Sequence, residues 1–434
     1  MQFLIYPAAV ALVLGVLVFV HEFGHYAVAK LFRVRIEVFS LGFGKRLVGF
    51  QRGNTDYRIS LLPIGGYVKM AGENPMEDRT GDPGEFMSHP RWQRFLIAIA
   101  GPVMNILLAI VILTGLYMFH HDYPAYSRMP VDVIWISPGS SAEKVGLQKG
   151  DRVVQIQDVQ DPTWEQFLQT ELISPDQTLD VAILRDGQTL HKTLVAKATG
   201  PDGVGDVGLD PPEAVGLIEP GKPAEHAGIK SGDILISING TLVKNLGDMR
   251  DELQKIKNNP APLVVRRDGK DITLTVTPRL LSGGGVPEEY RIGVGSEYIE
   301  RLPFSRALSE AYLDCKENSL LIFKLVGRML HNRKMLQQVS GPIGIMKISG
   351  EAAMIGWPPL LKIMALISLN LAVFNLFPIP ILDGGLMLML LIEAIMRRDI
   401  KQEIKERVYQ AAFVFLILFA AVVIYNDLAK SFHM

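Results

Sequence analysis

The sequence predicts an α-helical membrane protein with four transmembrane helices and an inserted pair of small β-rich domains. Four segments are nearly uncharged, although only 48% of the 434 residues are apolar and 21% are charged. In addition, one sequence unit occurs twice in the long polar tract between the second and third segments. Apolar residues concentrated in this way exclude a disordered chain and argue against an ordinary soluble domain.

The four apolar segments cover residues 4–20, 95–119, 359–382 and 409–425, and Lys362 is the one charged residue in them. A helix needs about 20 residues, within a range of about 17–25, to cross a bilayer core, so each segment is long enough. No Lys or Arg precedes the first apolar run. We therefore expect a retained helix there rather than a cleaved signal peptide.

The basic residues predict the orientation of these helices. Residues 30–94 contain eleven Lys or Arg, and a second basic loop, 397–407, follows the third segment. Loops rich in Lys and Arg stay in the cytoplasm, so the tract 120–357 and both termini are expected on the opposite side. The net charge of −1 gives no sign of nucleic-acid binding. The single cysteine, Cys315, excludes a disulfide within the chain.

The tract beyond the second segment contains an internal repeat with a constant offset of 82 residues. Five positions of the first copy recur with the same residue type in the second: Pro138, Ala142, Gly146, Gly150 and Asp151 correspond to Pro220, Ala224, Gly228, Gly232 and Asp233. Arg185-Asp186-Gly187 likewise recurs as Arg267-Asp268-Gly269. Two copies of one structural unit are therefore expected.

Each copy reads as a small β-rich domain with one short helix. Alternating runs flank Asp186-Gly187 and Asp268-Gly269, and Asp-Gly between such runs is a strong hairpin signal. The Pro-x-x-x-Ala-x-x-x-Gly pattern followed by Gly-Asp resembles a PDZ domain of the circularly permuted bacterial kind. Such domains bind an extended peptide by strand addition, so peptide ligands are possible partners. The alternative is that the pair acts only as a spacer or size filter.

The first apolar segment ends in His21-Glu22-Phe23-Gly24-His25. Residues i and i+4 share a helix face, so both imidazoles can reach one metal ion, and Glu22 can take a proton from a water beside it. Two histidines and a glutamate within an apolar helix are costly unless they serve a site. The alternative is a hydrogen-bonded polar cluster without a metal.

Asp383 is the candidate third ligand, because it is the carboxylate at the end of another apolar segment. Pro378 and Pro380 precede it, and two prolines so close cannot continue a regular helix. Irregular backbone at membrane depth survives only where protein or water satisfies it, so this stretch should line a wet cavity. The alternative role for Asp383 is a helix cap at the membrane interface.

The His-Glu-x-x-His motif, together with Asn375-x-x-Pro378-x-Pro380-x-Leu-Asp383-Gly, resembles the site-2 protease family of intramembrane zinc metalloproteases. Four helices, paired PDZ-like repeats and the chain length resemble its bacterial members that regulate the sigma-E response. The resemblance implies that His21, His25 and Asp383 bind Zn²⁺ and that Glu22 is the general base.

The same resemblance implies further site residues and partners. Substrate-binding roles fall to Asn370 and Asn375, and to a membrane-associated β-hairpin that contains Gly66, Tyr67, Val68 and Lys69. The implied substrates are single-pass membrane proteins whose outer domains have already been trimmed, among them an anti-sigma factor and remnant signal peptides, cleaved in an envelope stress response. The implied location is the bacterial inner membrane, with the active site toward the cytoplasm and the PDZ-like domains in the periplasm.

Competing hypotheses are a catalytically inactive, membrane-anchored PDZ scaffold, and a transporter or channel with intramembrane His and Asp. A transporter is disfavoured because the four helices contain no inverted repeat.

These features predict a succession of segments along the chain: helix 1 in 1–30, a loop with the hairpin in 31–93, helix 2 in 94–122, PDZ-like domains in 128–208 and 209–280, an amphipathic surface region in 300–356, helix 3 in 357–385, a loop in 386–408 and helix 4 in 409–427.

Overall fold

A computed structural model describes residues 2–73, 81–200, 203–283, 286–329 and 341–432 of the chain. The chain forms two compact units. The first unit comprises Met1–Met118 and Leu302–Met434 and is mainly helical, and the second comprises Phe119–Arg301 and is mainly β-structure.

The elements of the described residues follow one another as α1 Gln2–Leu31, β1 Ile36–Arg52, β2 Thr55–Met70, α2 Arg91–Phe119, β3 His121–Pro124, β4 Val131–Asp132, α3 Ser141–Lys144, β5 Arg152–Ile156, β6 Val159–Gln160, α4 Trp164–Leu172, β7 Gln177–Arg185, β8 Gln188–Thr199, β9 Val204–Asp206, β10 Leu217–Ile218, α5 Pro223–His226, β11 Ile234–Ile238, β12 Thr241–Leu242, α6 Leu246–Ile256, β13 Ala261–Arg267, β14 Lys270–Val276, β15 Arg279–Gly283, β16 Val286–Arg291, β17 Val294–Gly295, β18 Glu297–Glu300, α7 Phe304–Met329, α8 Pro342–Ile355, α9 Trp357–Asn375, α10 Asp383–Met396 and α11 Gln402–Phe432.

Among the described residues, four helices are long and apolar enough to cross a membrane, as the four apolar segments predict. They are Ile5–Leu31, Arg91–Phe119, Trp357–Asn375 and Gln402–Val423. Within the predicted segment 357–385, helix 3 ends at Asn375, before the prolines at 378 and 380, which cannot continue it. The predicted loop 386–408 is largely helical, since α10 and the start of α11 leave only residues 397–401 between them.

Strands β1 and β2 form a strongly bent hairpin beside α1. Val38 of β1 pairs with both Asp56 and Lys69, so the two halves of β2 lie on opposite sides of β1. The half that contains Gly66 to Met70 is therefore an edge of the sheet. Ile36, Phe39, Val68 and Met70 form a core with Ala29 of α1, and this core fixes the edge against that helix.

The predicted amphipathic region 300–356 contains two different helices, and its residues 330–340 lie outside the described part of the chain. Helix α7 buries Ala307, Ala311 and Cys315 and exposes large apolar side chains such as Phe304 and Tyr312. Helix α8 is mainly apolar, with Lys347 and Glu351 as its charged residues, and packs on α1. The amphipathic assignment is wrong for α8.

The second unit contains two similar sheets, one for each sequence repeat. Their strand orders are β4-β5-β7-β8-β9, with β6 beside β5, and β12-β11-β13-β14. The repeated residues have a shared structural reason. Arg185 Nε donates to Asp151 at 2.6 Å, its Nη2 donates to the Gly146 carbonyl at 2.8 Å, and Arg267 makes the same bonds to Asp233 and Gly228. Each buried aspartate thus ties the hairpin to the short helix.

The second β-rich domain extends beyond the predicted end at residue 280. Its core includes Ile292, and β17 pairs with β10 at its beginning. After β14 the chain forms the hairpin β15–β16 and then returns to the second domain as β17, which completes it. Strand β18 then pairs with β3, so the two ends of the unit leave side by side.

Candidate active site

Two histidines from α1 and one aspartate from α10 converge on a single point. His21 Nε2 lies 3.3 Å from His25 Nε2 and 3.2 Å from Asp383 Oδ2, and His25 Nε2 lies 3.5 Å from Asp383 Oδ1. Ligand atoms of all three residues lie within 4.8 Å of one another. Both histidines are buried, at 7% and 8% exposure. Two imidazoles and a carboxylate are a donor set that suits zinc and leaves a position for water or substrate.

The protonation of these groups supports a cation at the point of convergence. His25 Nδ1 lies 2.8 Å from the carbonyl of Ile97, which only accepts hydrogen bonds, so Nδ1 carries the proton and Nε2 presents a lone pair. Asp383 Oδ2 is buried and receives no hydrogen bond from the described residues. Lone pairs of acceptors that face one another so closely repel unless a cation lies between them. The residues therefore fit a divalent metal ion.

Close packing of α1 on α2 holds the histidines in place. A Cβ on Gly24 would lie 2.8 Å from the carbonyl carbon of Ala100, and one on Gly101 would lie 2.6 Å from His25 Cε1 and 2.8 Å from His21 Cε1. Real Cβ atoms do not approach so closely, so both glycines are needed for the two helices to touch. Both imidazole rings thus pack directly against helix α2 at Gly101.

Asp383 is held by the broken segment that precedes it. Helix α9 ends at Asn375, and the chain turns through residues 376–382 before α10 begins at Asp383. A Cβ on Gly385 would lie 2.5 Å from Cα of Pro380, and one on Gly384 would collide with the Leu376 carbonyl. The turn therefore packs directly on the first turn of α10, which explains the Asp-Gly-Gly sequence after the prolines.

Glu22 links the histidine helix to the edge of the hairpin. Its Oε2 accepts a hydrogen bond from the backbone N–H of Val68 at 3.0 Å. The outward N–H of the edge strand thus points at the site rather than into the sheet. Asn375 approaches from the opposite wall, with Nδ2 3.3 Å from His21 Nε2.

A cavity of about 410 Å³, here termed the site cavity, contains these groups. Its lining includes the predicted residues His21, Glu22, His25, Gly66, Tyr67, Val68, Asn375 and Asp383. Two predicted substrate-binding residues do not line it. Lys69 points away, with Nζ 2.8 Å from Glu37 Oε2, because successive side chains of a strand alternate between faces. Asn370 lies farther up α9, more than one turn before Asn375.

Three residues of the site are missing from the prediction. Gly101 and Asn105 of α2 contact the histidine rings, and Glu73 lines the site cavity. Glu73 accepts a hydrogen bond from the Met70 N–H at 3.1 Å, and its burial raises the pKa of the carboxyl. Asn105 had a usable signal, because a polar side chain in the middle of an uncharged apolar run is costly without a partner.

Comparison with known families assigns this site to a class of enzyme. The sequence profile of Peptidase family M50 matches residues 9–419. The chain therefore belongs to peptidase family M50, the site-2 protease family, and is a metalloprotease.

Named relatives match along almost the whole chain. The regulator of sigma-E protease RseP of Salmonella typhimurium is 31% identical, with 98% of each chain covered. Protease RseP of Yersinia pestis is 30% identical, also with 98% of each chain covered. A Vibrio cholerae protein that is provisionally named a zinc metalloprotease is 32% identical, over 97% of this chain and 98% of its own.

Among solved structures, the PDZ domain of an SdrC-like protein from Listeria monocytogenes matches 19% of this chain and 82% of its own, at 17% identity and a TM-score of 0.17. A score this low supports no conclusion about the number or kind of the β-rich domains.

Proposed function

We propose that this chain is an intramembrane zinc metalloendopeptidase that hydrolyses peptide bonds within transmembrane segments. The observation that carries the proposal is the convergence of His21, His25 and Asp383 beside Glu22, on a helix apolar enough to cross a membrane. Zinc would be held by these two imidazoles and this carboxylate. When bound, it supplies Lewis-acid polarisation of a carbonyl and activation of water at neutral pH.

Glu22 acts as the general base. Its carboxylate lies next to His21 in the chain and lines the site cavity, so it can take a proton from the attacking water and pass it to the leaving amine. The hydrogen bond from the Val68 N–H holds the carboxylate in this orientation. The base is therefore fixed by the same strand that we expect to bind substrate.

The edge of β2 and Asn375 bind the unwound substrate. A transmembrane helix hides its peptide bonds in internal hydrogen bonds, and each bond that is broken in lipid costs several kcal/mol unless it is replaced. Gly66, Tyr67 and Val68 form a strand edge that borders the site cavity, and Asn375 supplies an amide on the other wall. Substrates with helix-weakening residues should therefore be cleaved faster. Asn370 and Lys69 do not line the site cavity, so we expect any contact that they make with substrate to lie outside it.

The hairpin β1–β2 associates with the membrane. Its distal part exposes large apolar side chains, including Leu47, Val48, Phe50, Leu61 and Leu62, each more than half accessible. A soluble protein rarely exposes so many large apolar side chains on one hairpin, whereas a lipid surface favours them. The hairpin would thus meet the substrate in the lipid phase.

The β-rich unit selects substrates as a PDZ-like pair. In the second copy a cavity of about 320 Å³ lies between α6 and the segment Tyr290 to Val294, a position where an extended peptide can bind. In the first copy Glu171 of α4 accepts a hydrogen bond from the Val207 N–H, which ties α4 to the segment that follows β9. We therefore assign peptide binding to the second copy and a size-filter role to the pair.

The cellular setting follows from the charges and the family. The basic loops favour a cytoplasmic active site and a periplasmic β-rich unit, in a bacterial inner membrane. The substrates would be pre-trimmed single-pass membrane proteins, with an anti-sigma factor and remnant signal peptides as the expected types, because relatives of similar length are named as regulators of sigma-E.

The substitution Glu22→Gln tests the proposal on purified protein reconstituted in lipid vesicles. The probe is a single-pass protein without an outer domain, with glycines in its transmembrane segment. We expect Glu22→Gln to keep one zinc per chain and to lose cleavage by at least about 100-fold, the usual scale of general-base catalysis. Glu351→Gln changes an exposed carboxylate of α8 outside the site cavity and should remain active. Turnover by Glu22→Gln, or the absence of zinc from the wild type, would refute the proposal.

A further inference from the structure

Asn105 is a buried polar residue of α2 that the chemistry proposed above leaves without a role. It has no exposed surface. Its backbone carbonyl accepts a hydrogen bond from Ser368 Oγ at 2.8 Å, which fixes this turn of α2 against α9. Its side-chain Nδ2 lies 3.3 Å from His21 Nδ1, and its Oδ1 has no hydrogen-bond partner among the described residues.

The position of His21 determines which of its nitrogens carries the proton. Nε2 faces His25 and Asp383, so Nε2 is the atom that presents a lone pair at the point of convergence. A neutral imidazole has one proton, which must then be on Nδ1. An Nδ1–H needs an acceptor, and an amide NH₂ group at 3.3 Å offers only donors.

A half-turn of the Asn105 amide resolves this conflict. The two orientations of an amide group have the same shape, and the turned group presents Oδ1 to the Nδ1–H of His21. In its present position Oδ1 receives no hydrogen bond from the described residues, so the half-turn breaks none there. The orphaned oxygen gains a partner, and His21 gains the acceptor that its ligand tautomer requires.

We propose that Asn105 is a positioning residue for His21: its side-chain oxygen accepts the Nδ1–H and holds Nε2 toward the metal. This inference rests on the proposed zinc site. His25 has the equivalent support from the Ile97 carbonyl, at 2.8 Å. Both supports come from α2, two turns apart, on either side of Gly101. One helix thus orients both imidazole ligands, and residues that support histidine ligands in this way typically change metal affinity by about 10–100-fold.

The test measures zinc affinity of the detergent-solubilised full-length chain by competition with a chelator, with cleavage as a separate readout. Asn105→Leu keeps the size of the side chain and removes the acceptor, and we expect zinc affinity to fall by about 10–100-fold. Asn105→Asp keeps an oxygen acceptor in either orientation, so its zinc affinity should equal or exceed that of the wild type. Thr114→Val is the matched control, because Thr114 is a buried residue of α2 whose Oγ1 has no described partner.

The outcomes separate the two levels of inference. Weak binding by Asn105→Leu with recovery by Asn105→Asp supports the positioning role. Unchanged binding by Asn105→Leu refutes it, and equal losses in both variants also refute it, because a packing role predicts that result. A wild-type chain that binds no zinc overturns the proposed function itself, and the role of Asn105 with it.

Discussion

Gly101→Ala should disable the metal site through a single added methyl group. The new Cβ would lie 2.6 Å from His25 Cε1 and 2.8 Å from His21 Cε1. Carbon atoms pack at about 3.5–4.0 Å, so the His25 ring must move by about 1 Å or the two helices must separate. Separation is opposed by the close packing of Gly24 against Ala100, the residue directly before Gly101.

A displacement of this size exceeds what the metal tolerates. Zinc–nitrogen distances are about 2.0–2.1 Å, and a working site keeps them within about 0.2 Å. Loss of a supporting partner alone costs about 10–100-fold in metal affinity, so displacement of a ligand should cost at least about 100-fold, or roughly 2.7 kcal/mol. The measurement is chelator competition on solubilised protein, with zinc per chain after dialysis as a second readout.

Gly115→Ala provides the matched control on the same helix. A Cβ at Gly115 meets no described atom within 4 Å, so this change adds a methyl group to open space and improves helix propensity slightly. We expect zinc binding and cleavage at the wild-type level. If Gly101→Ala also binds zinc as tightly as the wild type, the ion does not lie where the two Nε2 atoms converge, and the assigned geometry is wrong.

Three further predictions follow from the site and the β-rich unit. Asp383→Ala removes one of three ligands and should lower zinc affinity by more than about 100-fold, measured by the same competition. Replacing 125–296 by an Asn-Gly turn keeps the β3–β18 pair as a two-residue hairpin, and should allow cleavage of substrates with intact outer domains, measured on gels. Burial raises the pKa of Glu171 to about 8, so the folded first copy holds a proton that the unfolded chain releases near pH 4.3. The free energy of unfolding of the first copy should therefore fall as pH rises from about 4.5 to about 8, and should level off at higher pH. Glu171→Gln should flatten this pH dependence, measured by urea unfolding.

A different result would contradict each of these three predictions. Asp399→Ala removes a carboxylate beyond the end of α10 and should leave zinc affinity unchanged; an equal loss in both aspartate variants would point to damage of α10 instead of a lost ligand. Loss of all cleavage on removal of 125–296 would contradict a filter. An identical pH slope in wild type and Glu171→Gln would mean that another group titrates.

The convergence of His21, His25 and Asp383 could be anticipated because helix geometry is local. His21 and His25 share a helix face because they are four residues apart, independently of tertiary contacts. The prolines at 378 and 380 predict a break in the helix before Asp383. The end of α9 and the start of α10 were harder to place, because the apolar pattern continues across the break. An apolar run predicts burial in lipid or protein, but it does not predict where the helix stops.

Residues whose role depends on tertiary contacts could not be predicted from sequence patterns. Gly101 and Asn105 matter because α2 touches α1, and no periodicity in either helix encodes that contact. The end of the second β-rich domain was misplaced for a similar reason, since the strand around Ile292 completes a core whose other members lie far earlier in the chain. The family resemblance assigns Lys69 together with its neighbours, but a match of sequence letters does not tell which face of a strand meets the cavity.

The proposed ligands of the metal come from distant parts of the polypeptide, and this has a consequence for biosynthesis. A ribosome delivers His21 and His25 to the membrane first, and Asp383 emerges only after the whole β-rich unit has been made. Until then the nascent first span holds two imidazoles without their carboxylate partner. With this ligand set, ion capture is a late event of assembly, because a nascent chain that stops before α10 lacks the carboxylate ligand.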